Sequence, residues 1–139
     1  MERLQQRVAV ITGGSRGLGR AIAIELAKDG VRLALVGRDE RKLKETAAEA
    51  AQGETEARFF LADVSQEAQV RSLEKQIGSA FGRVDILVNN AGINVRKSLV
   101  DLTLDEWRSV VETNLTSAFL MCRSFVPLMR GHAKSWFLT

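Results

Sequence analysis

Residues 8–19, VAVITGGSRGLG, decide the fold of this chain, because a short apolar run leads directly into a segment with four glycines. Glycine lets the backbone N–H groups of a strand-to-helix turn come close to a pyrophosphate, and a helix that begins near Arg16 adds favourable partial positive charge. A tight turn that requires positive φ angles is the competing explanation for the same glycines. The stretch therefore predicts a strand, a turn and a helix, with a phosphate-binding loop as the functional hypothesis.

Four short apolar runs recur along the chain, at residues 8–11, 33–36, 59–62 and 85–88. They are almost continuously apolar, which is typical of parallel strands covered by helices on both faces. Longer segments of helical period separate them, and this alternation, with right-handed crossovers, predicts an α/β fold. We expect a single Rossmann-type domain over residues 1–139, with an incomplete doubly wound parallel sheet of four to five strands.

Apolar residues spaced three and four apart predict the buried faces of the helices. The predicted stripes are Leu18, Ile22 and Leu26; Leu43, Ala47 and Ala50; and Val70, Leu73, Ile77 and Ala80. Asp39 is predicted to cap the second helix, and Thr103 or Asp101 a later one. The residues expected to share one face of that later helix are Leu104, Trp107 and Val111.

Composition excludes several classes of function. The single cysteine, Cys122, cannot form an internal disulfide. Together with the single histidine, His132, it is too little for a cluster of soft ligands, so we predict no metal site. No apolar run approaches the roughly 18 residues that span a bilayer, and the N-terminus lacks an apolar signal core, which predicts a cytoplasmic protein without membrane contact. We interpret residues 41–44, RKLK, as a solvated helix face and expect no nucleic acid partner, because no aromatic residues interleave with this run.

Three motifs follow the ends of predicted strands. The glycines of residues 12–19 follow the pattern TGxxxGxG, Asp63 and Val64 come after the third strand, and residues 89–92, NNAG, come after the fourth. In this combination and order the chain resembles the short-chain dehydrogenase/reductase family over about residues 8–131. Within that family it resembles the branch of the 3-oxoacyl-acyl-carrier-protein reductases.

The resemblance implies an NAD(P)-binding domain and assigns positions along its cofactor. The glycines of the turn would lie along the pyrophosphate, Asp63 and Val64 near the adenine, and Asn90 and Gly92 beside the cofactor at the central strand. Plain turn residues are the alternative interpretation of Asn89 and Asn90. The implied cofactor-binding residues are Gly13, Ser15, Arg16, Gly17, Leu18, Gly19, Arg38, Asp63, Val64, Asn90, Ala91 and Gly92.

The end of the second strand indicates which nicotinamide cofactor is preferred. NAD-binding folds place an acidic residue there to bind the ribose 2′-hydroxyl, whereas this chain has Gly37 and Arg38. An arginine pairs with a 2′-phosphate by charge-assisted hydrogen bonds, and by the resemblance Arg16 points to the same phosphate. We therefore predict that NADP(H) is preferred over NAD(H). In the alternative, Arg38 faces solvent and Asp39 accepts the ribose hydroxyls.

The chemistry implied by the resemblance is hydride transfer at a carbonyl or alcohol carbon, which in this family needs a tyrosine, a lysine four residues later, a serine and an asparagine. Asn114 matches the asparagine of the proton relay; an ordinary polar helix residue is the alternative. The chain contains no tyrosine, and the likeness ends at about Gly131, so we expect a truncated chain that is inactive alone. Thr139 offers a hydroxyl, but a chain terminus positions it poorly. Residues 136–138, WFL, are compatible with a short fifth strand.

Three hypotheses follow for the protein. The first is an NADP(H)-dependent oxidoreductase acting on a small carbonyl or alcohol substrate, of which this chain is the cofactor-binding part. The second is a catalytically inactive NADP(H)-binding module or partner subunit. The third is a remnant of marginal stability, because later strands and helices would be needed to cover one end of the sheet.

Residues 114–129 predict a helix that is apolar on nearly every side, and such a helix must be covered. By the resemblance, the corresponding helix packs against a partner in family oligomers. We therefore expect a homo-oligomer through this helix, with Met121, Phe125 and Met129 as contact residues. Burial of the same side chains in the core of the chain itself is the alternative.

Overall fold

The computed structural model describes residues 4–131 and the backbone of residues 136–138. The strands are β1 Val8–Thr12, β2 Arg32–Gly37, β3 Ala57–Leu61, β4 Ile86–Val88 and β5 Trp136–Leu138. They form one parallel sheet in the order β3-β2-β1-β4-β5, in which Val10 lies between Ala34 of β2 and Leu87 of β4. The order reverses between β1 and β4, which confirms the doubly wound fold. Residues 136–138, which the sequence left open as a fifth strand, pair with β4.

Helices connect the strands and cover the sheet. Their bounds are α1 Gly17–Lys28, α2 Glu40–Ala50, α3 Glu67–Phe81, α4 Leu104–Val111 and α5 Ser117–Met129. A short 3₁₀ turn, Ala51–Gly53, follows α2, and a π-helical segment, Glu112–Thr116, joins α4 to α5. Because a π turn is wider than an α turn, the path between α4 and α5 departs there from a regular helix.

Two predicted helix caps are confirmed. The Asp39 carboxylate accepts a hydrogen bond from the Lys42 backbone N–H at 3.1 Å, which satisfies an N–H group at the start of α2. Thr103 and Glu106 form a reciprocal capping box at the start of α4. The other candidate, Asp101, lies in the preceding turn instead, where its N–H donates to Ser98.

The hydrophobic core occupies both faces of the sheet, because successive strand residues point to opposite sides. Against α1 and α2 the core contains Ala9, Ile11, Leu33, Leu35, Ala23, Ala27, Leu43 and Ala47. Against α3 and α5 it contains Val8, Val10, Ala34, Leu87, Val70, Leu73, Ile77, Met121 and Phe125. Helices on both faces are thus confirmed, and so are the predicted stripes of α2 and α3.

The predicted buried stripe of α1 was wrong at its first position. Leu18 is 68% exposed, and α1 buries Gly19, Ala23 and Ala27 instead. The reason is close packing at the start of the helix, where a Cβ on Gly19 would lie 2.2 Å from the Gly13 backbone oxygen. Small residues let α1 approach the sheet there, and this rotates Leu18 away from the core.

The predicted contact face of α5 was also wrong. Met121, Phe125 and Met129 are buried in the core of the chain, as the alternative interpretation had it. Their spacing of four residues places them on one helical face, and that face packs on the sheet and α3. The apolar residues left exposed along α4, the π-helical segment and α5 are Leu104, Trp107, Leu115 and Phe119, which we call the α4–α5 apolar face.

Candidate functional site

A cleft of about 240 Å³ opens at the carboxyl ends of the strands, where the strand order reverses between β1 and β4. Open α/β sheets bind ligands at such a point, because the connections on either side of it leave in opposite directions. The residues that line the cleft are Gly13, Ser15, Arg16, Gly17, Val36, Gly37, Arg38, Ala62, Asp63, Val64, Asn90, Ala91, Gly92, Ile93 and Thr113. The structure therefore brings together all the predicted cofactor-binding residues except Leu18 and Gly19, which lie beside this lining.

The glycine turn leaves an open cradle at the amino end of α1. Gly13 and Gly17 have φ angles of 65° and 57°, which glycine adopts without strain. A Cβ on Gly17 would meet no atom within 4 Å, so packing within the described chain does not explain a glycine there. The N-cap residue of α1, Arg16, makes no side-chain cap bond, and the first turn has no acidic residue. The N–H groups at this helix end are therefore suited to an anion from outside the chain.

Thr12 joins the turn after β1 to the turn after β4. Its buried hydroxyl accepts hydrogen bonds from the backbone N–H groups of Asn90, at 3.0 Å, and Ala91, at 2.9 Å. The Asn90 side-chain amide donates to the Gly13 backbone oxygen at 3.2 Å. These bonds hold two walls of the cleft together. Sequence reasoning assigned no role to Thr12, although it is the first residue of the TGxxxGxG motif and the last of β1.

Two arginines supply positive charge to the cleft. Arg16 and Arg38 are exposed at its rim, and neither guanidinium makes an ion pair or hydrogen bond with any residue that the structure describes. By contrast, Arg20 pairs with Glu49, and Arg41 with Glu45. The charges of Arg16 and Arg38 are thus available to a ligand, whereas Arg20 and Arg41, on α1 and α2, are already paired with carboxylates.

Asp63 is fixed at the end of β3 by its own turn. One carboxylate oxygen accepts bonds from the Ser65 backbone N–H, at 3.0 Å, and the Ser65 hydroxyl, at 2.7 Å. Its backbone N–H donates to the Gln69 side chain at 2.8 Å. These bonds hold the Asp63 side chain in place as part of the cleft wall.

Asn114 lies in the π-helical segment and fixes the chain after β4. Its Oδ1 accepts from the Ile93 backbone N–H at 2.8 Å, and its Nδ2 donates to the Ile93 carbonyl at 2.9 Å. A Cβ on Gly92 would lie 3.4 Å from the same Oδ1, so Asn114 packs directly against the motif after β4. The side chain therefore positions the Ile93 wall of the cleft, and its predicted relay role stays a prediction.

Asn89 points away from the cleft. Its Nδ2 contacts the Cys122 sulfur of α5 at 3.5 Å, and its Oδ1 is buried without a partner among the described residues. Of the two neighbouring asparagines, Asn90 thus faces the cleft and Asn89 faces α5. The other catalytic candidate, Thr139, lies outside the described residues.

The family model of short chain dehydrogenases matches residues 7–135. The chain belongs to the short-chain dehydrogenase family. It is 36% identical over 131 residues to a 3beta-hydroxysteroid dehydrogenase of Mediterraneibacter gnavus, covering 94% of this chain and 48% of that protein. It is 38% identical over 133 residues to the rhamnolipids biosynthesis 3-oxoacyl-[acyl-carrier-protein] reductase of Pseudomonas aeruginosa, covering 95% of this chain and 51% of that protein. This short-chain dehydrogenase thus spans about half the length of the curated relatives it matches.

The solved structures agree with the family assignment. A metagenomic short-chain oxidoreductase in complex with NADP superimposes with a TM-score of 0.91 at 34% identity, over 98% of this chain and 62% of that one. The family consists of oxidoreductases that bind NAD(P), and the open cradle at Gly17 and the uncapped end of α1 suit the pyrophosphate of such a cofactor. No helix within the described residues is both long and apolar enough to cross a bilayer.

Proposed function

We propose that this short-chain dehydrogenase is an NADP(H)-dependent oxidoreductase acting on a carbonyl or alcohol group, and that the chain supplies its cofactor site. The observation that carries the proposal is the uncapped amino end of α1 beside two guanidinium groups without described partners, Arg16 and Arg38. A helix end of this kind favours a phosphate, and the arginines favour a second phosphate next to it.

Different residues of the cleft bind different parts of the cofactor. The turn from Gly13 to Gly17 binds the pyrophosphate through backbone N–H groups. Glycine is needed at position 17 because a side chain there would occupy the space that the pyrophosphate takes. Asp63 and Val64 hold the adenine at the end of β3. Asn90, together with Ala91 and Gly92, borders the cofactor at the end of β4, where Thr12 keeps their backbone in place.

The preference for NADP(H) rests on Arg38 and Arg16. The 2′-phosphate carries negative charge, and a guanidinium presents a planar set of N–H donors to it. Asp39 does not line the cleft, and one of its carboxylate oxygens accepts from the Lys42 N–H as the cap of α2. The NADP complex of the related metagenomic enzyme supports the same cofactor.

The chemistry proposed for the protein is hydride transfer, with the nicotinamide, when bound, giving or accepting the hydride. The residues of this chain bind and orient the cofactor. Asn114 fixes Ile93 at the border of the cleft, and Thr113 lines the cleft beside it. The sequence contains no tyrosine, which by family resemblance is the acid/base. We therefore expect the 139-residue chain to bind NADP(H) without turnover.

The proposal is tested by calorimetric titration of the 139-residue chain with NADPH and NADH. We expect NADPH to bind more tightly, and Arg38→Asp to weaken NADPH binding by about tenfold or more, since a hydrogen bond to a charged group is worth about 1.5–3 kcal/mol. Arg41→Asp is the matched control: it makes the same charge change on exposed α2 and should leave the NADPH-to-NADH ratio unchanged. An equal loss of affinity for both cofactors in Arg38→Asp would contradict the phosphate assignment.

We also propose that the protein is a homo-oligomer and that its contact surface is the α4–α5 apolar face. Leu104, Trp107, Leu115 and Phe119 are 55–68% exposed and follow one another along the helices. Several large exposed apolar side chains on neighbouring helical segments favour burial against another surface. The proposed subunit contact therefore lies on the exposed side of α5, opposite the side that is buried in the core.

A further inference from the structure

One edge of the sheet, along β3, has a free row of backbone groups. β3 pairs with β2 on one side only, where the Leu33 N–H donates to the Glu56 oxygen at 2.8 Å. At the other end of the strand the Ala62 N–H donates to the Gly37 oxygen at 3.0 Å. Because such bonds alternate along a parallel ladder, every second residue of β3 turns its N–H and C=O away from β2. These groups bond to no other described residue, and they belong to Ala57, Phe59 and Leu61.

The sequence of β3 does not block this edge. The strand reads ARFFL, without a proline, and its last residue, Leu61, is 49% exposed. Its one charged side chain, Arg58, is held toward α3, since it pairs with Glu56 at 2.8 Å and lies 5.7 Å from the centre of the Phe81 ring. A row of unpaired N–H and C=O groups on an open edge is a template for another strand.

A groove of about 410 Å³ lies beside this edge, between α2 and β3. Ala48 and Ala51 of α2 line one side of it, and Phe59 of β3 lines the other. Apart from Lys44 and Arg58, every residue that lines the groove is apolar. Since alternate side chains of a strand point to the same face, an added strand would direct every second side chain toward this groove.

The charge beside the groove favours an acidic partner. Lys44 is exposed, and its ammonium group has no ion pair or hydrogen bond within the described part of the chain. Arg32 and Arg58 share the single carboxylate of Glu56, so these three side chains keep a net positive charge. A second copy of the chain would bring the same cations to the contact, and like charges oppose such a pairing. A carboxylate on the added strand is attracted to them instead.

We propose that the β3 edge binds an extended peptide segment by strand addition, with small apolar side chains in the groove and acidic side chains beside Lys44 and Arg58. The backbone of β3 supplies the hydrogen bonds, and the groove and its cations select the side chains. The partner is therefore a protein with an exposed segment in which valine-sized residues alternate with glutamate or aspartate.

The test uses the 139-residue chain and a synthetic seven-residue peptide with valine at its third and fifth positions and glutamate at the other five. This order reads the same in both directions, so the peptide can add in either orientation. We expect the N–H groups of Ala57, Phe59 and Leu61 to exchange with solvent at least about tenfold more slowly when the peptide is bound, as measured by nuclear magnetic resonance. The loop N–H groups of Leu99 and Val100 should not change. Binding without protection of β3, or no binding at about 1 mM peptide, would overturn the proposal.

Two N-methylated versions of the peptide distinguish strand addition from attraction between charges. One carries methyl groups on the backbone nitrogens of its odd-numbered residues, and the other on those of its even-numbered residues. In an added strand alternate N–H groups face β3, so we expect one version to bind at least about tenfold more weakly and the other to retain its affinity. Equal effects of the two methylation patterns would show that no backbone ladder forms, and the proposal would be wrong.

Charge variants locate the bound peptide. Lys44→Glu should weaken its binding by about three- to tenfold, as expected for reversal of an exposed charge pair. Lys75→Glu makes the same change on exposed α3 and should leave the affinity unchanged. If Arg38→Glu weakens binding more than Lys44→Glu does, the peptide lies in the cofactor cleft and the proposal is wrong. A cooperative urea transition for each variant shows that a loss of binding is not a loss of fold.

The free chain tests the competing occupant, a second copy. If the β3 N–H groups are protected without peptide, and more strongly as the protein concentration rises, a second copy pairs with the edge and the acidic partner is wrong. Rapid exchange that does not depend on protein concentration supports an edge that is open to the peptide.

Discussion

Gly17 and Gly82 both adopt the left-handed backbone conformation, but only Gly17 lies in the cleft. Comparing the two therefore distinguishes an effect on cofactor binding from an effect of backbone strain. Both have positive φ angles, 57° and 74°, and a Cβ at either would meet no atom within 4 Å. Gly17 lies in the cleft, whereas Gly82 ends α3 at the opposite edge of the sheet. An alanine therefore imposes the same conformational penalty at both positions, but only at Gly17 does its methyl group enter the space proposed for the pyrophosphate.

We predict that Gly17→Ala and Gly82→Ala each destabilise the fold by about 1–2 kcal/mol, the cost of a left-handed conformation for a residue with a Cβ. Gly17→Ala should also weaken NADPH binding by at least about tenfold. Gly82→Ala should leave binding unchanged. Urea denaturation and calorimetry measure the two quantities separately, and equal NADPH affinity in both variants would remove the support for the glycine cradle.

Asp85 is fully buried between two arginines at the start of β4. Its side chain accepts hydrogen bonds from Arg83, from Arg7 at 3.2 Å and from the Val8 backbone N–H at 2.9 Å. Burial raises the pKa of this carboxyl, but the bonds from Arg83, Val8 and Arg7 outweigh burial and leave the pKa below the ordinary aspartate value. A group whose pKa is lower in the folded than in the unfolded chain stabilises the fold above the unfolded pKa.

We predict that the free energy of unfolding falls as the pH drops below about 5, because the unfolded carboxyl binds protons at a higher pH than the folded one. Asp85→Asn should cost about 1–3 kcal/mol at pH 7, because it weakens bonds to buried and half-buried donors, and should flatten this acid dependence. Asp101→Asn, at an exposed turn position, is the control. Urea midpoints at pH 7 and pH 3 measure both effects; a loss in Asp85→Asn that is the same at both pH values would contradict the charge argument.

At the scale of single elements, α1 and α5 show that helical periodicity does not determine which side of a helix is buried. Each has apolar residues on more than one side, and the sheet covers only one of them. In α1, Gly19 faces the sheet where Gly13 comes too close for a side chain, and Ala23 is buried one turn later. In α5 the sheet and α3 cover Met121 and Phe125, which leaves Phe119 58% exposed. The period predicted both helices but not which apolar side would be buried.

The exposed side of α5 gives a prediction for assembly. Phe119→Asp should lower the mass of the protein in solution toward that of a monomer, since a buried charge at an apolar contact is unfavourable. The stability of the single chain should hold, because Phe119 lies outside the core. Leu99→Asp places the same charge at an 83% exposed loop position and should leave the mass unchanged. Light scattering across a concentration series measures this, and a monomeric parent chain would contradict the proposed oligomer.

At the scale of the whole molecule, the two layers of helices share one sheet, so the layers should unfold together. Strand residues alternate between the two core clusters, and each cluster is closed by two helices. Loss of either layer would expose buried strand residues such as Leu33 or Leu87. This arrangement favours a folded chain over the hypothesis of an unstable remnant.

We predict a single cooperative urea transition for the 139-residue chain, with the same midpoint by circular dichroism and by tryptophan fluorescence. Saturating NADPH should raise the free energy of unfolding by about 2.7 kcal/mol at a hundred times its dissociation constant, because the ligand binds the folded chain. NADH at equal concentration should raise it less. Separate transitions for the two probes, in the absence of ligand, would show that the layers unfold independently.

Local sequence alone establishes the order of strands and helices, the caps at Asp39 and Thr103 and the position of the glycine turn, because periodicity, capping and glycine conformation depend on near neighbours. The motif residues could also be placed at strand ends, and parallel strands bring those ends to one edge. Tertiary structure decided the rest. The bond of the Thr12 hydroxyl to Asn90, the engagement of Asn114 with Ile93 and the buried sides of α1 and α5 depend on partners that are distant along the chain or on a sheet that must form first.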